Sequence, residues 1–345
     1  MSQSMVAGPG DRRGPWTVRA ASMIPRETVE WVWPGRIPAG KLTVIEGDPA
    51  TAKSTMTLDL AARVTRGSTW PDGAAGMSPA SVLLLSAEDG WGDTIRPRLE
   101  AAGADLDRCI CVAAREVDGE HGPILRPVVI PEDIGWIARL IEESAATMVI
   151  VDVLAAYLSD RIDSHKDQSV RRLLALLAVA AARTRAAVIL IRHHNKAPGG
   201  PALYRGGGSI GIIGAARAAY AVIRDPDDTD HRLMATVKSN LAGEAPTWGY
   251  SLTDVPHLGV ARVDWDTEAD RRSVSELLAG TQSSALGEAV AWLTAWRAEH
   301  PGTTSSAVLL ADAASAGVAA TTLHRARKQA GLQTRQTAEG WIVEA

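Results

Sequence analysis

The stretch Lys41-Leu-Thr-Val-Ile-Glu-Gly47-Asp-Pro-Ala-Thr-Ala-Lys53-Ser54 decides the fold. Lys41–Glu46 reads as a buried strand, and a helix is predicted from about Lys53 to Arg66. The loop between them is Gly47, Asp48, Pro49, Ala50, Thr51 and Ala52, and Thr55 follows Lys53 and Ser54 into the helix. A loop entering a helix N-terminus aims backbone N–H groups at an anion. At this spacing Lys53 would reach the β- and γ-phosphates of a nucleotide, and the Ser54 hydroxyl would ligate Mg²⁺. The pattern G-x-x-x-x-G-K-[ST] is specific when strand and helix flank it. Here Ala52 stands where the second glycine belongs, and Ala50 where many such loops carry glycine. A Cβ at either place crowds the phosphates or strains a left-handed backbone angle. A turn that merely caps a helix is the plainer reading, and it leaves the residues below unexplained.

Outward from the loop the chain alternates strand and helix. Val82–Ser86 is a second buried strand, Thr94–Ala102 a helix and Arg108–Ala113 a strand. Asp133–Ser144 is an amphipathic helix leading into the apolar run Met148–Val151. Gln168–Thr184 is a long Ala/Leu helix before the strand Ala187–Ile191. This alternation predicts an α/β fold with a mostly parallel sheet flanked by helices. Glu30–Ile37 is an apolar arm entering the fold. Ala219–Arg224 and Arg232–Lys238 read as a hairpin around the acidic run Asp225–Asp230, which is expected to be a solvated turn. Residues 1–22 read as a flexible tail, 23–270 as the main domain, 271–284 as a polar linker and 285–345 as a small C-terminal module.

Composition narrows the class. The chain has 345 residues, 46% hydrophobic and 22% charged, which excludes global disorder. Net charge is −4, against a uniformly basic nucleic-acid coat. Cys109 and Cys111 are too close for a zinc knuckle and too few for a disulfide framework, so a reduced, cytoplasmic compartment is expected. No apolar run is long enough to predict a membrane span. There are 11 Trp, 4 Tyr and no Phe, so Leu, Ile, Val, Ala and Trp must build the core.

Other polar residues fall at strand ends. Asp152 closes Met148-Val-Ile-Val, where a carboxylate beside a phosphate loop would hold Mg²⁺. Glu88 leaves the strand Val82–Ser86 and is the candidate for orienting an attacking water, with Asp89 as competitor. His193 and Asn195 follow Val188–Ile191, at the sheet end where ligands sit in open α/β proteins. Tyr204-Arg-Gly-Gly-Gly-Ser-Ile is glycine-rich but has no Lys-Ser/Thr after it. Arg205, Arg217 and Lys238 are candidate cations for phosphates of a neighbouring subunit.

Taken together, Arg36-Ile-Pro-Ala-Gly-Lys-Leu-Thr, Gly47-Asp-Pro, Leu85-Ser-Ala-Glu-Asp89, Arg192-His-His-Asn-Lys196, Tyr204-Arg-Gly-Gly-Gly-Ser-Ile and Val237-Lys-Ser-Asn240 resemble a known family. They are similar, over roughly residues 25–265, to the RecA-like AAA-type ATPases grouped with RepA-type hexameric replicative helicases. The resemblance implies a RecA-like core, ATP and Mg²⁺ as cofactors, a homo-oligomeric, hexameric ring, and single-stranded DNA in its centre. Position by position it implies Lys53 and Ser54 as the Walker A pair and Asp152 as the Walker B aspartate. It makes Glu88 the catalytic glutamate, His193 the strand-end sensor, Arg217 the interface arginine and Lys238 the interface lysine. Asn240 stands where related rings carry a second arginine, which leaves the trans-acting role to Arg217. For strand contact, Arg205, Gly206, Gly207 and Gly208 are the candidates, with Tyr204 the aromatic beside them.

In the C-terminal module, helices are expected over Ala285–His300, Thr303–Ala316 and Thr321–Ala330, with a hairpin from Leu332–Gln336 and Trp341–Val343. That is a winged-helix-like plan. Thr321 or Thr322 would cap the last helix; Leu323, Ala326 and Ala330 would face inward. His324, Arg325, Arg327 and Lys328 would be exposed, with Arg325, Arg327 and Lys328 the candidate contacts to duplex DNA. A protein-docking face is the alternative.

Overall fold

The computed structural model describes residues 19–119, 122–159, 167–193, 211–228, 230–300, 304–330, 332–337 and 340–344. In chain order the elements begin with β1 (Trp31–Trp33), β2 (Ile37–Pro38), β3 (Leu42–Gly47), α1 (Lys53–Arg66), β4 (Ser81–Ser86), α2 (Arg96–Ala101), β5 (Cys109–Cys111), β6 (Arg115–Gly119) and β7 (Gly122–Arg126). They continue with α3 (Ile134–Ser144), β8 (Ala146–Asp152), α4 (Asp167–Thr184), β9 (Ala187–His193), α5 (Gly211–Ala215), β10 (Ala218–Arg224), β11 (His231–Ser239), β12 (Thr247–Val255) and β13 (Val260–Asp270). The chain closes with α6 (Val274–Glu299), β14 (Thr304–Ser305), α7 (Ser306–Ser315), α8 (Ala320–Gln329), β15 (Gln333–Thr337) and β16 (Gly340–Glu344).

Nine strands form one sheet in the order β13-β12-β11-β10-β3-β9-β8-β4-β5. From β10 to β5 every neighbour is parallel, whereas β10 to β13 form an antiparallel extension. The inner parallel strands are buried on both faces, the edge strand β5 only in part, and strand alternation divides the inner strands' side chains between two cores. Leu42, Val44, Leu83 and Leu85 face a core covered by α3, α4 and α5. Ile45, Val82, Leu84 and Ile150 face a second core beneath α1, α2 and the entering arm. Each such side chain contributes about 1.5–3 kcal/mol on full burial. The expected α/β fold with a mostly parallel sheet is what the chain adopts.

With no phenylalanine, tryptophan takes over part of the second core. Trp33 on the arm stacks on Trp70 at 4.9 Å and meets Trp265 edge-on at 6.1 Å. The Arg36 guanidinium sits 5.0 Å from the Trp33 ring, and the Trp33 indole N–H donates to Asp72 at 2.9 Å. The arm is therefore anchored by aromatic packing as well as by its β1–β2 pairing.

One expectation is extended and two are corrected. Strands β12 and β13 extend the expected hairpin, so β11 is an inner strand. The acidic run is not simply solvated: Asp225 is buried, and Arg272 donates to it at 2.6 Å and to Asp270 at 2.6 Å. Most of the expected linker over 271–284 is helical, because α6 starts at Val274 with a capping box in which Ser273 and Glu276 satisfy each other's backbone N–H. The first turns of α6 bury Leu277 and Leu278 against Ala221, Ile223, Leu233 and Ala235. Its C-terminal half places Ala289, Leu293 and Trp296 in a separate small core with Leu309, Leu323 and Val343.

In the C-terminal module three helices accompany a three-stranded sheet ordered β14-β16-β15. Leu323 and Ala326 face inward as expected, but Ala330 is exposed at the helix end. Ala319 takes the N-cap position of α8 without a side-chain bond, so Thr321 and Thr322 do not cap it. No single helix among the described residues is long and apolar enough to cross a membrane. Residues 1–18 of the expected tail lie outside the described residues.

Candidate nucleotide-binding site

The phosphate loop leaves the C-terminal end of β3 and enters α1. Gly47 is required by close approach: a Cβ there would meet the Val222 carbonyl oxygen at 2.4 Å. Ala50 and Ala52 hold φ of 60° and 61°, the left-handed region that favours glycine. The strain anticipated from their Cβ atoms is present, at about 1–2 kcal/mol for each residue. Ala52 is the N-cap of α1, so the first turn's N–H groups face the loop.

Lys53 is buried beneath the loop. Its ammonium donates to the carbonyls of Gly47 at 3.0 Å and Asp48 at 2.6 Å, and to the Thr51 hydroxyl at 3.3 Å. The Thr51 hydroxyl in turn donates to the Asp48 carbonyl at 2.8 Å. Burial pulls the Lys53 pKa down to about 8, against the opposing pull of Asp152, Asp48 and Glu88. Asp48, Pro49 and Ala50 are exposed, while Ser54 and Thr55 are half-buried at the start of α1.

Asp152 ends β8 beside this loop. Burial raises its pKa, helped by Glu88 and Asp89, while the Ser54 hydroxyl bond and Lys53 oppose the rise. Its Oδ1 is buried without a hydrogen-bond partner. Ser54 joined to a carboxylate with an unpartnered buried oxygen fits a hard cation that takes oxygen ligands. No group of three or more His, Cys, Asp or Glu side chains converges to hold a metal among the described residues, so the remaining ligands would be phosphate and water.

Glu88 follows β4, and its carboxylate lies 3.6 Å from Nε2 of His193 at the end of β9. Asp89, its competitor, is bonded by Arg98 at 2.6 Å and lines the same hollow as Ser54 and Asp152. One residue before His193, Arg192 donates from Nε to Glu46 at 2.8 Å, a buried pair that ties the ends of β9 and β3. Lys53, Ser54, Asp152, Glu88 and His193 thus come together at the C-terminal edge of the parallel strands.

Arg217 and Lys238 do not join them. The Arg217 N–H donates to the Leu42 carbonyl at 2.9 Å, at the start of β3. Four to five residues of strand, roughly 15 Å, separate that level from Gly47. Lys238 pairs with Ala219 in register and gives its ammonium to the carbonyls of Ile213 at 2.8 Å and Gly214 at 2.9 Å. Burial and the charge of Arg217 lower its pKa, so these two cations share one patch at the far end of the sheet. Arg205, Gly206, Gly207, Gly208, Tyr204 and Asn195 lie outside the described residues. On α8, Arg325 and Lys328 are exposed, but Arg327 is half-buried, with Nε enclosed and unpartnered and its pKa lowered by burial.

Sequence patterns alone miss two further contacts. The Tyr250 hydroxyl donates to the Thr51 carbonyl at 3.1 Å, and Arg224 Nη2 to the Ala50 carbonyl at 3.1 Å. Nothing local marks either residue, because the contacts span 199 and 174 positions of sequence.

A parallel sheet with a lysine-bearing phosphate loop after a central strand, and an aspartate closing a nearby one, defines a nucleotide-binding P-loop ATPase. The family whose model is described as AAA domain matches residues 11–199, more than half of the chain, and the chain belongs to that family. No curated protein matches the chain significantly.

Proposed function

We propose that this ATPase is a DNA-stimulated motor of the RepA-type helicase kind, acting in replication of a plasmid, phage or mobile element. The observation that carries the reading is the convergence of Lys53, Ser54, Asp152, Glu88 and His193 on one sheet edge, with Arg217 and Lys238 at the other. Within one subunit, Glu88 orients the water that attacks the γ-phosphate, and Lys53 binds the β- and γ-phosphates. Ser54 and Asp152 hold Mg²⁺, which when bound neutralises phosphate charge. His193, in contact with Glu88, reports the loss of γ-phosphate. The patch carrying Arg217 and Lys238 serves the phosphates of the next subunit in a head-to-tail ring, a hexamer in the related helicases. The glycine-rich segment with Arg205 and Gly206–Gly208 touches single-stranded DNA. The C-terminal module, read as winged-helix-like, contributes Arg325 and Lys328 to duplex DNA.

ATP turnover with and without single-stranded DNA tests this. Stimulation that disappears in Lys53→Ala supports a DNA-driven motor. Tight duplex binding with turnover indifferent to single strands replaces it with a nucleotide-switched regulator, a reading that the exposed cations on α8 also suit. No turnover at all would reduce the chain to a P-loop scaffold.

A further inference from the structure

The floor of the phosphate loop is built by the antiparallel extension of the sheet. Tyr250 on β12 is fully buried, and its hydroxyl reaches the Thr51 carbonyl at 3.1 Å. Its ring packs on Trp265 at 5.1 Å, and the Trp265 indole N–H donates to Asp59 on α1 at 2.7 Å. The hydroxyl is thereby fixed against the helix that the loop opens. The Thr51 carbonyl belongs to the peptide plane that joins Thr51 to Ala52, and Ala52 is one of the loop's two left-handed alanines. Rotating that plane is the direct way for an alanine to leave positive φ. The same rotation would swing the Thr51 carbonyl away from Tyr250 and the Ala52 N–H away from the loop hollow. Hydrogen bond and backbone angle therefore hold or fail together. A glycine at position 52 would keep the same angle unaided.

We infer that Tyr250 is a positioning residue for the phosphate loop, its hydrogen bond holding Ala52 in the left-handed conformation that phosphate binding needs. The inference rests on the reading of this loop as the ATP site, and it adds a specific coupling between β12 and the missing glycine. Arg224, bonded to the carbonyl on the other side of Thr51, supports the same loop from β10.

The test is a titration of the full chain with ATP and Mg²⁺, comparing wild type, Tyr250→Phe, Ala52→Gly, the double variant and Lys53→Ala. Tyr250→Phe removes one hydroxyl and should weaken ATP binding about fivefold, the size of one neutral hydrogen bond. In the Ala52→Gly background the same change should cost less than about twofold, because glycine no longer needs the tether. An equal loss in both backgrounds, or no loss in either, overturns the inference and leaves Tyr250 an ordinary core residue. If wild type does not bind ATP, or binds it no better than Lys53→Ala, the nucleotide-site reading falls and takes the inference with it. Should Tyr250→Phe alone fold poorly, normal folding and binding of the double variant supports the coupling, and an equally defective double variant refutes it.

Discussion

Lys53 makes nucleotide binding depend on pH in a direction that can be worked out from its surroundings. Its ammonium is buried among loop carbonyls, with a pKa near 8 in place of 10.5. A phosphate-bound lysine stays protonated, because the adjacent negative charges favour the cation. Above pH 8 the free site must therefore take up a proton before ATP is held. The protonated fraction falls from about nine-tenths at about pH 7 to about one-tenth at about pH 9. ATP affinity should fall about tenfold over that interval, equivalent to ~1.4 kcal/mol. Stability of the free protein moves the other way. The unfolded lysine binds more protons than the folded one between the two pKa values, so this group's contribution rises from about pH 8 to pH 10.5. Calorimetric titration with a non-hydrolysable ATP analogue and Mg²⁺, repeated in buffers of different ionisation heat, reads both affinity and proton uptake. Lys53→Arg is the control, since a guanidinium keeps its proton throughout. A flat wild-type profile, or the same slope in Lys53→Arg, would refute the reasoning.

Other expectations follow from the same geometry. Glu88→Gln should keep ATP binding and lower turnover at least about a hundredfold, as measured by phosphate release. Arg217→Ala should keep binding but lose turnover in the assembled form; surviving turnover there would remove its trans role. Arg192→Met breaks the buried Arg192–Glu46 ion pair and should cost about 3–5 kcal/mol in denaturant unfolding. Burial alone would raise the Asp133 pKa, but the Val129 N–H, Arg115 and Arg126 together lower it. Its contribution is present above the ordinary carboxylate range and is lost as pH falls through the lowered value. Asp133→Asn should therefore be less stable at neutral pH and show a flatter acid limb in thermal melts.

The parallel half of the sheet was legible because its strands are short apolar runs ending in polar residues that must do something other than pack. Lys53, Asp152 and Glu88 could be placed for that reason, and even the strain at Ala50 and Ala52 could be anticipated from the missing glycines. The antiparallel extension was less visible. β13 does alternate, with Asp264, Asp266, Glu268 and Asp270 against Val263, Trp265, Thr267 and Ala269, but Asp and Glu are disfavoured in strands, which weakens the signal. Tyr250 was out of reach because its partner lies in another part of the sequence and is a carbonyl, which has no side-chain signature. The start of α6 is legible in Ser273-Val-Ser-Glu276, a capping-box pattern, although Gln282, Ser283 and Ser284 give the segment the composition of a linker.

Helix α6 bears on where this protein can be cut. Its 26 residues belong to two hydrophobic cores, Leu277 and Leu278 to one and Leu293 and Trp296 to the other. A truncation at residue 285, where composition suggests a boundary, would leave about three turns of helix as the frayed end of the ATPase part. A cut before Val274 would strip the cover from Ala221, Ile223, Leu233 and Ala235 on the strands next to the phosphate loop. Only the second of these cuts removes side chains that the sheet buries. The useful boundary lies inside the helix, after the last residue that the sheet needs and before the first that the small core needs, and the remaining stub requires its own C-terminal cap.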